Sequence, residues 1–177
     1  MTTLYKLTDA SDCTHGDSQW GPGVTIETSG EGELCGPGFT HWYTHPLLAV
    51  LLNPIHGGFD LATAHLWKGK GKIAKTDNGL KVGCTRGTTL RRVPLPSVTT
   101  EQRVRFAVLC ARTVYRDPQF LAWAEGWLNC KNRTAVGAAA RAAARAARAA
   151  ARAAAGAAIN IDLSAMARQA TAAGGTD

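Results

Sequence analysis

The sequence predicts an α+β protein: a small strand-rich body with a short buried helix, then two core helices, then a long Ala/Arg helix. Three observations carry this. Segments rich in aromatic and β-branched residues, separated by Gly-Pro-Gly and Asp-Asn-Gly turn signals, run from residue 2 to residue 93. Past Pro94 and Pro96, two segments place apolar residues at the helical period behind capping residues. From Ala138 onward the chain is mostly alanine, the strongest helix former, with arginine at regular intervals. The expected organisation is a globular domain over residues 1–135 and a helical tail over 136–177. Every Trp, Tyr, Phe and Cys lies in the first of these, so the tail is expected to bury little apolar surface by itself.

Thr2 to Thr8 (TTLYKLT) reads as the first strand, stopped by the polar run Asp9 to Asp17. Trp20-Gly-Pro-Gly is a turn leading to a strand at Val24 to Thr28, and a second Gly-Pro-Gly at 36–38 precedes a strand at Phe39 to Thr44. His45-Pro46 opens Leu47 to Leu52, read as a short buried helix with proline at its first position and Asn53-Pro54 at its end. Ala64 to Lys75 is a strand whose Lys68, Lys70 and Lys72 alternate and so share one face. Their glycine-rich surroundings read equally as a flexible lysine cluster or a surface turn. Asp77-Asn78-Gly79 is a turn into two further strands, Leu80 to Cys84 and Thr88 to Val93.

Thr99 and Gln102 have the spacing of a capping box before a helix with Val104, Ala107, Val108, Ala111, Val114 and Tyr115 on one face. Asp117-Pro118 is an N-cap and first-turn proline for a second helix, with Phe120, Trp123 and Trp127 forming a core seam. In the tail, Arg141, Arg145, Arg148 and Arg152 are spaced 4, 3 and 4 and form one stripe among alanines. Ile159 to Met166 adds a short amphipathic piece before a loose end.

Charge is unevenly distributed. Residues 1–60 carry Lys6 against seven carboxylates, a net of −6; residues 61–137 carry +10 and residues 138–177 carry +3. The basic half, with Lys68, Lys70, Lys72, Arg141, Arg145, Arg148 and Arg152, is the candidate surface for a polyanion, either nucleic acid or a host protein. The alanine faces of the tail also permit a homo-oligomer through helix packing. Five cysteines at irregular spacing, no membrane-length apolar run and no signal-like N-terminus predict a cytoplasmic chain with mostly buried free thiols.

Other chemistry is thinly signalled. His41, His45, His56 and His65 follow Cys35, but only His41 and His45 form a close pair, so no metal is expected. Cys35 and His41 are the sole nucleophile–base candidates, nothing orients the histidine, and a buried inert cysteine is the expectation. KGKGK lacks the spacing and the hydroxyl residue of a phosphate-binding loop.

The strings ELCGPGFTHWYTHPLLAVLLNPIH, LWKGKGKIAKTDNGLKVGC and TTEQRVRFAVLCA resemble a domain family of tailed-phage and prophage genomes whose members often end in alanine-rich tails. The resemblance covers roughly residues 3–135. It implies a small phage or prophage accessory protein acting in the bacterial host's cytoplasm, and it brings no catalytic residues and no cofactor. A second likeness is to compact ADP-ribosyltransferases of the rifampin-modifying kind, through the order of Leu4-Tyr5-Lys6, His41-Trp42-Tyr43-Thr44, the helix at Leu47 to Leu52 and the strands from Leu66. It implies an NAD or nucleotide pocket at Tyr5, Lys6, His41, Tyr43 and Trp67, with Tyr43 stacking on a base or nicotinamide ring. Lys6 stands where that family has its NAD-contacting histidine, and no acidic residue follows at the catalytic position.

Overall fold

The computed structural model describes residues 1–130 and 161–172. By their contacts they fall into two compact units, Met1–Ser97 and Val98–Asp177, dividing just after the two prolines that end the β-rich segment. Mixed α+β structure with an antiparallel sheet is observed. The Ala/Arg stretch, with Arg141 to Arg152 and the boundary at 135/136, lies outside the described residues.

In the first unit the strands are β1 (Thr2–Thr8), β2 (Cys13–Thr14), β3 (Ser18–Gln19), β4 (Thr25–Glu27), β5 (Thr40–Trp42), β6 (His65–Thr76) and β7 (Val82–Val93). Two short helices, α1 (Pro46–Leu51) and α2 (Asn53–His56), lie between β5 and β6. The β2–β3 hairpin falls in the polar run after β1, where aspartates hide any strand pattern. Asp12 and Asp17 adopt positive φ there, which Asp tolerates better than most residues. Asn53-Pro54 does not end the helical segment. Pro54 needs no amide partner in a first turn, so it starts α2 instead.

The five-stranded sheet runs β1-β6-β7-β4 with β5 also on β7, all pairs antiparallel. β6 and β7 form a long hairpin around Asn78 and Gly79, both at positive φ, as a tight turn with matching twist requires. The two strands expected on either side of residue 86 are one strand, β7, because bulges at Thr85 and Leu90 absorb the changes of phase. Tyr43, just past β5, exchanges two 2.8 Å backbone hydrogen bonds with Tyr5 of β1. That pair joins the free edge of β1 to the strand lying on β7, so β1, β6, β7 and β5 close on themselves as a small barrel.

Trp42 fills the barrel. It is fully buried with Leu4, Val82, Cys84 and Trp20, meets Trp20 edge-on at 5.3 Å, and donates its indole N–H to Thr40 Oγ1 at 2.9 Å. Gly69 of the KGKGK run and Gly87 of β7 face it, while Gly71 faces Cys84 and Leu4. A Cβ at Gly69 would lie 2.7 Å from Trp42 Cζ3, one at Gly87 2.6 Å from Trp42 Cζ2, and one at Gly71 2.8 Å from Cys84 Sγ. The run is therefore neither a flexible cluster nor a turn. Its glycines make room for Trp42, Cys84 and Leu4, and strand alternation turns Lys68, Lys70 and Lys72 outward.

In the second unit, α3 (Thr100–Val114) begins at a capping box in which the Thr99 side chain and the Gln102 side chain each bond the other's backbone amide. α4 (Pro118–Leu128) is capped by Asp117. Trp127 and Ala124 pack with Val104, Ala107 and Val108 of α3, and Phe120 and Trp123 border them, so the tryptophan pair is core. The third helix, α5 (Leu163–Ala172), runs past Met166 through Thr171 and Ala172, which had the look of a loose end. Leu163, Ala167 and Ala170 are buried at helical spacing, Gln102 Nε2 donates to Thr171 O at 2.9 Å, and Met166 Sδ lies 3.8 Å from Cys110 Sγ. Small side chains let α5 approach α3 closely, so this end of the tail does bury apolar surface. Among the described residues no helix is long and apolar enough to cross a membrane.

Candidate functional site

The barrel wall of β1, β6 and β7 has two chemically distinct faces. Outside, the ladder register sets Tyr5 opposite Lys68, Lys68 opposite Arg91, Lys70 opposite Thr88 and Lys72 opposite Arg86. Arg86 is tied to Glu27 of β4 at 3.3 Å, while Arg92, at the end of the wall, is tied to Asp12. Among the described residues no carboxylate pairs with Lys68, Lys70, Lys72 or Arg91. Directly opposed like charges cost a sheet stability, up to about 1 kcal/mol per pair. The Lys68/Arg91 pair is such a contact, with no carboxylate among the described residues to neutralise it.

The other face leads into a cleft of about 420 Å³ lined by residues from β1, the β2–β3 hairpin, the loop before β5, and α2. Lys6 reaches it from the interior side of β1. It is 5% exposed, donates to His41 O at 2.9 Å, and sits 4.4 Å from the Trp20 ring centroid and 5.3 Å from that of Trp42. Burial brings its ammonium down from 10.5 to about 7, with Cys84 acting weakly the other way. Tyr43 Oη lies in hydrogen-bond reach of His56 Nδ1 at 3.2 Å, and the rings stack at 5.9 Å. Burial, then Lys81 and His41, lowers His56 to about 4, so it is neutral at pH 7. His41 is lowered by burial too, and its Nε2–H donates to Leu34 O. Asn53 is spent on structure, holding Phe59 through both its amide groups.

Of the expected pocket residues, Lys6, His41 and Tyr43 come together at this cleft. Tyr5 and Trp67 do not line it. Tyr5 takes the outward position between two inward residues of β1, and Trp67 is buried, donating its indole N–H to Asp12 at 2.8 Å beneath the Arg92 guanidinium. Lys68, Lys70 and Lys72 line the outer face, and the tail arginines lie outside the described residues. Trp20, Phe39, His56, Phe59 and Lys81 join the cleft without having been singled out for it. For Phe39 the signal was its place at the head of the FTHWYT segment, and for His56 its place just past the helix after it. For Phe59 and Lys81 there was none.

The cysteines depart from the expectation of mostly buried thiols. Cys84 and Cys110 are buried, Cys13 is half-buried, and Cys35 and Cys130 are exposed. Burial pushes the thiols of Cys84 and Cys110 up to about 11 and about 12. Cys35 is thus not an inert core residue. It sits at the cleft with Lys81 Nζ 3.1 Å from its sulfur, while His41, the imagined base, is committed to Leu34. Among the described residues no three His, Cys, Asp or Glu side chains are grouped to hold a metal. No protein-family model, characterised protein or solved structure matches this chain.

Proposed function

We propose that this protein is a binding protein that takes a polyanion, nucleic acid in particular, on the outer face of β6 and β7. One observation carries the reading: Lys68 faces Arg91 in register, flanked by Lys70 and Lys72, with no carboxylate partner among the described residues. A phosphate backbone supplies the missing counter-charge along the row. Lysines two apart on a strand are roughly 6.6 Å apart, so the three cover about 13 Å of a polyanion. No base-reading group accompanies them, so binding is expected to be indifferent to sequence. Arg141, Arg145, Arg148 and Arg152 add further positive charge for the same polyanion in the proposal, on their sequence spacing alone. A phage or prophage accessory role inside the bacterial host accords with such a protein and rests on the resemblance described above.

The test is fluorescence anisotropy of a labelled oligonucleotide against the full chain over a series of salt concentrations. Changing Lys68, Lys70 and Lys72 together to Gln is expected to weaken binding and to lower the slope of log K against log salt by about 2 to 3. The three side chains point outward, so the fold survives the change, as circular dichroism verifies. Absence of binding at low salt, or a slope unmoved by the triple change, refutes the reading.

A further inference from the structure

Residues 1–60 carry a net charge of −6 and supply nearly all of the cleft, yet among the described residues its lining contains no Asp and no Glu. It contains instead Lys6, Lys81, His15, His41 and His56. That distribution is the reverse of what the segment's composition would deal out. Lys6 sharpens the point. An ammonium has three donors, and Lys6 meets one acceptor, the carbonyl of His41, with tryptophan rings beneath it. Among the described residues no carboxylate pairs with it. A buried amine without a counter-charge is costly, and such groups persist where they serve a ligand. The remaining walls are aromatic: Trp20, Phe39, Tyr43 and Phe59. The volume, about 420 Å³, falls within the range of pockets that enclose small organic ligands.

We propose that this cleft binds a small organic anion, a flat ring bearing a phosphate or carboxylate, with the anionic group beside Lys6 and the ring against the aromatic walls. The site is independent of the outer basic face. In the β1–β6 ladder Lys6 lies opposite Trp67 on the inward side, and Tyr5 opposite Lys68 on the outward side. A polyanion on the lysine row and a ring-bearing anion in the cleft therefore occupy opposite sides of one strand layer.

Four probes test the proposal on the full chain: AMP (ring and phosphate), benzoate (ring and carboxylate), adenosine (ring without charge) and inorganic phosphate. Binding is followed by the indole N–H resonance of Trp20 and the ring resonances of His56. AMP, benzoate or both are expected to bind with Kd of about 1 mM or tighter. Adenosine and inorganic phosphate are expected to bind at least about tenfold more weakly, since each lacks one of the two recognised groups. Binding by only one of the two ring-bearing anions assigns the charged group. Lys6→Met should abolish the response with the indole spectrum of a folded barrel retained. If that variant does not fold, the wild-type shifts decide: AMP or benzoate shifts at Trp20 and His56 support the site, and shifts confined to the Lys68 to Lys72 amides overturn it. Failure of both ring-bearing anions to bind, adenosine binding as tightly as AMP, or an unchanged response in a folded Lys6→Met also overturns it. None of these outcomes depends on whether nucleic acid binds the outer face.

Discussion

Replacing Lys6 with methionine separates the cost of a buried charge from the contacts of the side chain that carries it. Methionine keeps the length of the stem and its packing against Trp20 and Trp42 but cannot ionise. In the folded chain the Lys6 ammonium gives up its proton near pH 7, against 10.5 for a free lysine. Between those two values the unfolded chain holds more protons than the folded one, so stability rises with pH across that window. Below pH 7 the full penalty applies, about 5 kcal/mol at 1.36 kcal/mol per pKa unit, and it vanishes only above about 10.5. The lost hydrogen bond to His41 O returns about 1 kcal/mol of it, and the lost cation–π contacts about 1 more. Lys6→Met is therefore expected to be more stable than the wild type by about 3 kcal/mol at pH 6. The wild type should close on it by about 2 kcal/mol between pH 7.5 and 9. The assay is urea unfolding followed by the indole resonances of Trp20 and Trp42, which report on the barrel. Taking the difference between the two proteins cancels the thiol of Cys110, which titrates with the opposite sign at higher pH. A variant less stable than the wild type at pH 6, or a difference that stays flat from pH 7 to 9, would show that Lys6 is not a strained buried cation.

Three further outcomes follow from the packing and the hydrogen bonds. Gly69→Ala forces a Cβ to within 2.4 Å of Thr88 O and 2.7 Å of the Trp42 ring. It should cost about 3 kcal/mol in urea unfolding, at the upper end for overpacked cores, whereas Lys70→Ala beside it should cost under about 0.5. Asp12→Asn keeps a residue that tolerates positive φ but removes the charge that accepts from Trp67, His65 and Arg92. Burial works to raise that carboxyl, but the hydrogen bonds from Arg92, Trp67 and His65 and the charge of Arg92 hold it below its ordinary value. Its contribution is therefore present above about pH 4 and lost as pH falls further, and the variant should be weaker by about 2 kcal/mol at pH 7 with a flatter acid limb. Thr99→Ala removes the hydroxyl that accepts from the Gln102 amide and should lower stability of the α3 unit by about 1 kcal/mol, read as faster amide exchange in its first turn.

Local chemistry made much of this fold legible. Asn78-Gly79, the Thr99/Gln102 pair and Asp117-Pro118 act within a few residues of themselves, and each produces the turn or cap that its side chains dictate. Two things escaped. Alternation read along one strand is blind to bulges, so β7 looked like two strands, its phase reset at Thr85 and Leu90. Glycine also has two uses that one sequence cannot tell apart, a flexible turn or a space for a neighbour. The neighbour at Gly69 and Gly87 is Trp42, distant in the chain. The cleft was half legible for the same reason. Lys6, His41 and Tyr43 stood out as polar or aromatic residues in strands, while Phe59 and Lys81 reach it only through the path of the chain after α2 and the β6–β7 hairpin.

The packing of Trp42 beneath Gly69 and Gly87, and of Cys84 and Leu4 beneath Gly71, has a consequence for how this segment tolerates change over time. In K-G-K-G-K, neighbouring positions answer to different masters. The lysines face outward, and a drift to arginine, glutamine or threonine alters what the wall attracts without disturbing what lies beneath it. Gly69 is bound to the size of the side chain at 42 and Gly71 to those at 84 and 4, so a larger residue at either glycine calls for a smaller one at its own neighbour. Related chains should therefore show the first glycine of GxG in this strand travelling together with tryptophan in the FTHWYT segment, and the second with the small residue at 84, with the residue between the glycines free to wander. The binding surface can be rewritten one charge at a time, and the scaffold under it only by paired substitutions.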